Sequence, residues 1–239
     1  MSDPVPLLQT DGLHAWYGQS HILQGVDLEV GAGEVVALLG RNGAGRSTIC
    51  RAIMGHLEVS GEILFRGTPI TGLHTHQVAQ AGIGLVPENR EIFPGLTTRQ
   101  NLLLGLKPGQ RDGSGRWSSE RLMDMFANLR ARADVDAAVL SGGEQQMLSI
   151  CRTLMGDPEL VMIDEPTEGL SPQVTELVSQ LLKQIALDGV AVLLVEQKLT
   201  IALQIADRVN VIGQGRVVFT GTPEAFAAAP DIRRSWLEV

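Results

Sequence analysis

Hydrophobic and polar residues alternate along two segments in the first third of the chain, residues 25–30 and 62–66. A period of two is typical of strands that bury one face, so these segments predict an antiparallel β layer. Three other segments, residues 35–39, 160–163 and 190–195, are continuously apolar. Apolar runs of this length indicate strands that are covered on both faces of a parallel sheet. Helical patterns separate these runs, and the combination predicts an α/β fold.

The helical patterns differ in how clearly their ends are marked. Residues 171–187 form the clearest helix, because Ser171 can cap its start, a proline follows in the first turn and an Asp-Gly pair stops it. Residues 120–130 predict a second amphipathic helix. The apolar side of that helix consists of Leu122, Met125, Phe126 and Leu129. Near the end of the chain, residues 209–219 contain two apolar runs around a glycine-containing turn and predict a β-hairpin.

Length, charge and cysteine content narrow the functional classes. The 239 residues suit a single domain, which we place at residues 1–239. The 27 acidic residues outnumber the 19 basic ones and give a net charge of −8, so no basic field favours a nucleic-acid partner. No apolar run approaches the roughly 20 residues of a membrane helix, and residues 1–8 lack the regions of a signal peptide. Cys50 and Cys151 lie in predicted helices among apolar neighbours and are expected in the core.

A glycine-rich loop with the sequence GRNGAGRST follows the first apolar run directly and opens a helical segment. In this context glycines let backbone amides point at phosphate oxygens, and the helix N-terminus adds partial positive charge. The alternative is a tight glycine turn without a ligand. The residues predicted to bind the nucleotide are Gly40, Asn42, Gly43, Ala44, Gly45, Arg46, Ser47 and Thr48.

Two positions of this loop have distinct chemistry. The Ser47 hydroxyl stands where it would reach Mg²⁺. Arg46 occupies the place where the motif has lysine. Because arginine is longer, planar and fork-shaped, it keeps the charge and changes the geometry, so we expect nucleotide binding to survive better than hydrolysis.

Two adjacent carboxylates end the second apolar run, in the sequence LVMIDEP. Asp164 is the candidate for the metal side of the site, and Glu165 is the candidate general base that polarises the attacking water. By itself such a pair is equally consistent with an ordinary polar strand end. The glycine-rich loop upstream favours the catalytic interpretation.

A third motif, LSGGEQQ, begins a helix at Ser141. Ser141 and Glu144 have the spacing of a capping box, and an apolar stripe follows. The simpler interpretation is a well-capped core helix. However, two glycines in the first turn destabilise a helix by roughly 1 kcal/mol each and leave its free amides accessible, so an anion from outside this part of the chain is expected there.

The three motifs together resemble the ATP-binding subunits of ABC transporters, in the right order and over nearly the whole chain. The resemblance implies a P-loop ABC ATPase fold with a parallel core sheet, an antiparallel β layer and a small helical lobe at about residues 93–155. It implies ATP and Mg²⁺ as cofactors. It also implies a head-to-tail dimer, in which Ser141, Gly142 and Gly143 bind the nucleotide of the partner and are exposed and unpaired in a single copy.

The same resemblance gives roles to three further positions. Tyr17 matches the aromatic residue on which adenine stacks, with core packing as the alternative. Glu88 stands where most members have a glutamine that contacts Mg²⁺, and Gln197 stands where most have a histidine that contacts the γ-phosphate. These two substitutions, in VPE and VEQ, resemble the subgroup that serves branched-chain amino-acid importers. Ser171 stands where many relatives have aspartate.

This subgroup likeness implies an importer subunit powered by ATP hydrolysis. Its expected partners are a homologous ATP-binding subunit, as homodimer or heterodimer, integral membrane permease subunits, and indirectly a solute-binding protein. Its expected location is the cytoplasmic face of the cell membrane, as a peripheral protein. The alternatives are a non-hydrolysing partner in an asymmetric importer, a urea or amide importer subunit, and a soluble relative in repair, translation or iron–sulfur assembly, against which the acidic charge counts.

Overall fold

The computed structural model describes residues 5–237. Residues 1–4 and 238–239 of the predicted domain lie outside this range. Residues 1–4 are also half of residues 1–8, the segment that lacks the regions of a signal peptide. The strands within the described range are β1 Leu8–Tyr17, β2 Ser20–Val30, β3 Val35–Leu39, β4 Glu58–Phe65, β5 Thr68–Pro69, β6 Ile83–Val86, β7 Leu160–Asp164, β8 Ala191–Glu196, β9 Arg208–Gly213 and β10 Arg216–Gly221.

The helices lie between or after the strands from β3 onward. They are α1 Arg46–Ile53, α2 Thr75–Ala81, α3 Thr98–Leu103, α4 Ser119–Met125, α5 Ala127–Ala131, α6 Gly142–Leu154, α7 Pro172–Leu187, α8 Leu199–Ile205, α9 Pro223–Ala227 and α10 Pro230–Trp236, with a 3₁₀ turn at Ala137–Val139. The predicted helical segment 93–155 corresponds to the chain between β6 and β7, which carries α3 to α6. That this segment is a separate lobe stays a prediction.

The strands form two sheets whose types agree with the hydropathy patterns. A six-stranded sheet has the order β10-β9-β3-β8-β7-β6, and all its neighbours are parallel except the β9–β10 hairpin. A four-stranded sheet has the order β2-β1-β4-β5 and is antiparallel throughout. Every residue of β3, β7 and β8 is buried. The predictions of a parallel core sheet, an antiparallel layer and a terminal hairpin are confirmed.

The register of the parallel sheet places the ends of several strands at one edge. Leu39 pairs with Glu196, Asp164 with Val195, and Val86 with Ile163. The loops that leave β3, β6, β7 and β8 therefore emerge side by side. Open α/β sheets carry their ligands at this carboxyl edge.

The predicted helix at residues 120–130 is wrong as a single element. Phe126 has φ −132° and ψ 91°, which ends α4 at Met125 and starts α5 at Ala127. Ten residues of straight helix would separate positions 120 and 130 by about 15 Å along the axis. The bend instead brings Arg130 Nη2 to 2.9 Å from Glu120 Oε2, while Leu122 and Leu129 both reach the core. Tertiary packing therefore overrides the continuous helical pattern.

Two smaller predictions agree with the structure. Ser171 caps α7 by accepting a hydrogen bond from the Val174 amide at 3.5 Å. Cys50 and Cys151 are both buried free thiols, and burial raises the pKa of each. The prediction that both cysteines lie in the core is confirmed.

Candidate functional site

The glycine-rich loop connects β3 to α1 in the geometry that its sequence predicts. Gly43 and Gly45 have φ values of 79° and 110°, a region that favours glycine because it has no Cβ. A Cβ on Gly45 would also lie 2.9 Å from Leu23 Cδ2. Helix α1 begins directly after this loop, at Arg46. Glycine is therefore required here both for backbone conformation and for close packing on the antiparallel layer.

Arg46 is buried beneath the loop, with 5% of its surface exposed. Its Nη2 donates to Asn42 Oδ1 at 3.0 Å and to Glu165 Oε1 at 2.5 Å. Its Nη1 is also buried and has no hydrogen-bond partner in the described part of the chain. The arginine that stands in the place of the lysine thus contacts the carboxylate that the sequence nominates as the base.

The two acidic residues at the end of β7, Asp164 within the strand and Glu165 just after it, contact two consecutive residues of α1. Ser47 Oγ donates to Asp164 Oδ1 at 3.0 Å, beside the Arg46–Glu165 ion pair. Burial raises the pKa of Asp164, and the hydrogen bond from Ser47 and the charge of Arg46 oppose it. Burial also raises the pKa of Glu165, again against the effect of Arg46. Glu165 adopts φ 46°, so its backbone holds a conformation that is uncommon for a side-chain-bearing residue.

These oxygen donors suit magnesium. Mg²⁺ prefers carboxylate and hydroxyl oxygens and usually takes the rest of its shell from substrate phosphates and water. Ser47 and Asp164 are already adjacent, whereas the described residues contain no cluster of three or more acidic, histidine or cysteine side chains that would hold a metal unaided. The arrangement fits a metal that arrives with a phosphorylated ligand.

A cavity of about 360 Å³ lies over the glycine-rich loop. Tyr17, at the end of β1, lines it from one side and is 40% exposed. Because of this exposure the ring is not packed in the core, and the Tyr17 hydroxyl accepts a hydrogen bond from Arg51 Nη1 at 3.3 Å. Glu88 and Glu168 line the other side. Partial burial raises the pKa of Glu88, and the Glu168 and Asp164 carboxylates raise it further.

Glu196, the last residue of β8, is a component of the site that sequence reasoning missed. Its carboxylate is 2% exposed and accepts from Thr167 Oγ1 at 2.6 Å and from the amides of Gln197 and Lys198 at 3.1 and 3.2 Å. It therefore connects the segment after Glu165 to the turn that carries Gln197, which is itself exposed. The sequence signal that could have identified Glu196 is its position as a charged residue at the end of an apolar run.

The third motif does not meet the first two within one copy of the chain. Ser141 and Gly143 line a separate cavity of about 310 Å³ beside α7. Ser141 is exposed, but the expectation that it is unpaired is wrong, because its amide and hydroxyl both bond to Glu144 Oε2 at 2.8 Å. Gly143 is buried, and a Cβ there would lie 2.7 Å from Val174 Cγ1, so the expectation of exposure is wrong for it as well. Gly142 is half-buried.

The sequence profile of the family described as ABC transporter matches residues 23–168, more than half of the chain. This chain belongs to the ABC transporter family. The match includes the glycine-rich loop, the LSGGEQQ motif and the two carboxylates, which are the motifs from which the resemblance was inferred. The chain is therefore an ATP-binding subunit of the ABC type. Within residues 5–237 no helix is long and apolar enough to cross a membrane.

Two relatives carry transport names. The chain is 36% identical to the high-affinity branched-chain amino acid transport ATP-binding protein BraG of Pseudomonas aeruginosa, over 97% of this chain and 99% of that protein. It is 34% identical to the probable branched-chain amino acid transport ATP-binding protein LivF of Archaeoglobus fulgidus, over 90% and 92%. Both alignments extend nearly end to end.

Solved ABC cassettes share the fold. A nucleotide-free ATP-binding cassette from an ABC transporter superposes with a TM-score of 0.81 at 25% identity, over 95% of this chain and 96% of that one. A dimeric ATP-binding cassette in a post-hydrolysis state, bound to ADP and Pi, superposes with a TM-score of 0.79 at 25% identity, over 90% and 98%. The predicted P-loop ABC ATPase fold is confirmed.

Proposed function

We propose that this chain is the ATP-hydrolysing subunit of an importer for branched-chain amino acids. The observation that carries the proposal is the direct contact of Arg46 and Ser47 with Glu165 and Asp164, which gathers phosphate-binding and catalytic groups in one cleft. The identity to BraG and LivF over most of each chain supports the solute class. The VPE and VEQ variants at Glu88 and Gln197 are consistent with the same subgroup.

In this proposal, different residues of the cavity bind the adenine, the phosphates and the metal. Tyr17 stacks on adenine, while the amides of the loop and the start of α1 surround the phosphates. Ser47 and Asp164 would hold Mg²⁺ with Glu88 nearby, and the metal would supply positive charge that neutralises the phosphates. The loop residues assigned to phosphate binding are Gly40, Asn42, Gly43, Ala44, Gly45, Arg46, Ser47 and Thr48.

Hydrolysis then needs one proton transfer. Glu165 accepts a proton from water as the water oxygen attacks the γ-phosphorus, and the bond to the β-phosphate oxygen breaks to release ADP. Gln197 orients the γ-phosphate from the side of β8. The buried Glu196 fixes the turn that carries Gln197, because it accepts that residue's own amide hydrogen.

The partner subunit completes the site. Ser141, Gly142 and Gly143 lie away from the nucleotide cavity of their own chain, so they serve the nucleotide of a second ATP-binding subunit placed head to tail. Binding of ATP draws the two subunits together and hydrolysis releases them. This cycle drives the permease subunits at the cytoplasmic face of the membrane, and a solute-binding protein delivers the amino acid to them.

The substitution Glu165→Gln tests this function. The variant is expected to bind Mg-ATP, to lose phosphate release and to form a stable dimer with ATP, as measured by light scattering during size-exclusion chromatography. Glu159→Gln is the matched control, because the Glu159 side chain is 41% exposed and is ion-paired with Arg66 outside the cavity. A Glu165→Gln variant that stays monomeric with ATP would contradict the proposal. Uptake of leucine, compared with urea, by vesicles carrying the permease subunits tests the solute.

Arg46 favours one second candidate, a subunit that binds ATP without hydrolysing it in an asymmetric pair. The contact of Arg46 with Glu165 engages the carboxylate proposed as the base. Phosphate release by the purified chain, alone and mixed with a homologous subunit from the same transporter, separates the two. Turnover only in the mixture supports the asymmetric pair, and turnover that rises with the concentration of this chain alone supports the first proposal.

A further inference from the structure

The guanidinium of Arg46 is divided between a satisfied nitrogen and an unsatisfied one. Nη2 donates to both Asn42 and Glu165, whereas Nη1 is buried without a partner among the described residues. Buried donors in folded proteins are mostly paired with protein or with ordered water, so the unpaired Nη1 of Arg46 requires an explanation. Arg46 lines the cavity over the glycine-rich loop, and a phosphate oxygen there would satisfy this donor.

The side chain and the backbone of Glu165 have different partners. Its backbone has φ 46°, and its amide donates a hydrogen bond to the Val195 carbonyl oxygen at 2.9 Å. Its carboxylate, in contrast, forms an ion pair with Arg46, and both side chains are nearly buried, at 5% and 12% exposed. The ion pair therefore orients the carboxylate from inside the phosphate-binding helix.

We propose that Arg46 is a positioning residue for Glu165 as well as a phosphate ligand: Nη1 binds the γ-phosphate while Nη2 keeps hold of Glu165. This inference rests on the proposed function, since it concerns the same hydrolytic site. A planar guanidinium offers separate nitrogens to two anions at once. A lysine ammonium presents a single nitrogen on a differently shaped side chain, so it binds phosphate without reproducing this bridge.

The substitution Arg46→Lys therefore separates binding from turnover. It restores the usual residue of the motif, yet it is expected to reduce kcat by at least about tenfold, because a displacement of about 1 Å in a catalytic group costs up to a hundredfold in rate. The dissociation constant for Mg-AMP-PNP is expected to change by less than about threefold, since the charge at the phosphates is kept. Arg66→Lys is the matched control, an exposed arginine paired with a glutamate at 2.9 Å outside the site.

A second readout does not depend on turnover. Glu165→Gln is made both in the native chain and in the Arg46→Lys variant, and Mg-AMP-PNP affinity is measured at protein concentrations low enough to keep the chains monomeric. If the Arg46–Glu165 contact persists in the bound state, the substitution changes affinity by the same factor in both backgrounds. If Glu165→Gln raises the affinity only in the chain that keeps Arg46, the nucleotide breaks the ion pair when it binds, and the inference is overturned.

The outcomes distinguish this inference from the function on which it rests. Absence of saturable Mg-AMP-PNP binding by the native chain contradicts the proposed function and the phosphate role of Arg46 together. If the native chain binds Mg-AMP-PNP but the Arg46→Lys variant hydrolyses ATP as fast as the native chain, or faster, the inference is overturned and the proposed function is not. Should the native chain bind without hydrolysing, the affinity comparison decides the matter.

Discussion

Replacing Thr167 by valine removes one hydroxyl from the buried network that connects the two catalytic loops. Thr167 has no exposed surface, and its Oγ1 donates to Glu196 Oε1 at 2.6 Å. Valine keeps the branched shape and leaves that carboxylate oxygen without its donor. The Lys198 ammonium still bonds to the Thr167 backbone carbonyl at 3.0 Å, so the loop keeps one of its two anchors.

The magnitude follows from the charge of the acceptor. A hydrogen bond to a charged group contributes about 1.5 to 3 kcal/mol to stability. When one partner is removed inside the protein, the remaining buried group has lost its contact with water without gaining a hydrogen bond, so the full desolvation penalty is felt. For a chain of this length, 1 kcal/mol corresponds to roughly 2 to 4 °C in Tm. We therefore expect Thr167→Val to lower Tm by roughly 3 to 12 °C.

Thermal unfolding followed by circular dichroism measures this shift, with Thr68→Val as the control because Thr68 is exposed in β5. The control is expected to change Tm by less than about 2 °C, as surface substitutions usually do. A Thr167→Val protein with the Tm of the native chain would refute the assignment of Glu196 as a charged, structurally required acceptor. A fall in kcat without a change in Tm would also contradict the energetic argument.

Three further predictions use other parts of the fold. Burial raises the pKa of Glu144, but its hydrogen bonds from Ser141 and the charge of Arg132 outweigh burial and lower this pKa from its ordinary value. Glu144→Gln is therefore expected to lower the free energy of unfolding near neutral pH and to lose that effect as pH falls through the lowered pKa, as urea titrations at several pH values can measure. Cys50 and Cys151 are expected to resist a thiol reagent until guanidinium unfolds the chain, because burial raises the pKa of both. Gly213→Ala places a Cβ 2.1 Å from Trp236 Cε3, so it should lower Tm by several degrees, about 1 to 3 kcal/mol of overpacking, and alter tryptophan fluorescence.

Local patterns were sufficient for much of the architecture because they report burial directly. The fully apolar runs at residues 35–39 and 160–163 became strands with every residue buried. Both ends of helix α7 were predictable, since the residues that cap its start and end it are adjacent to the helix in sequence. The bend at Phe126 was not, because it accompanies the packing of Leu122 and Leu129 against core residues that are distant in sequence.

The candidate site divides in the same way. The glycine-rich loop and the pair Asp164-Glu165 were identifiable because each is contiguous in sequence and follows a strand. Thr167 and Glu196 were not, because a buried carboxylate becomes visible only when its donor, 29 positions away, is placed beside it. The pairing of Ser141 with Glu144 was signalled by spacing, yet the burial of Gly143 against α7 required the packed structure.

The sequence by itself determined the class of fold, the order of the motifs and the chemistry that they carry, since hydropathy period, turn residues and capping residues act over a few positions. It also showed that arginine replaces lysine at position 46. Only the tertiary structure decided what that arginine contacts. Residues 46 and 165 lie 119 positions apart and meet at 2.5 Å because parallel strands β3 and β7 flank β8 and end at the same edge. Such proximity arises from strand pairing across the sheet, which no local pattern encodes.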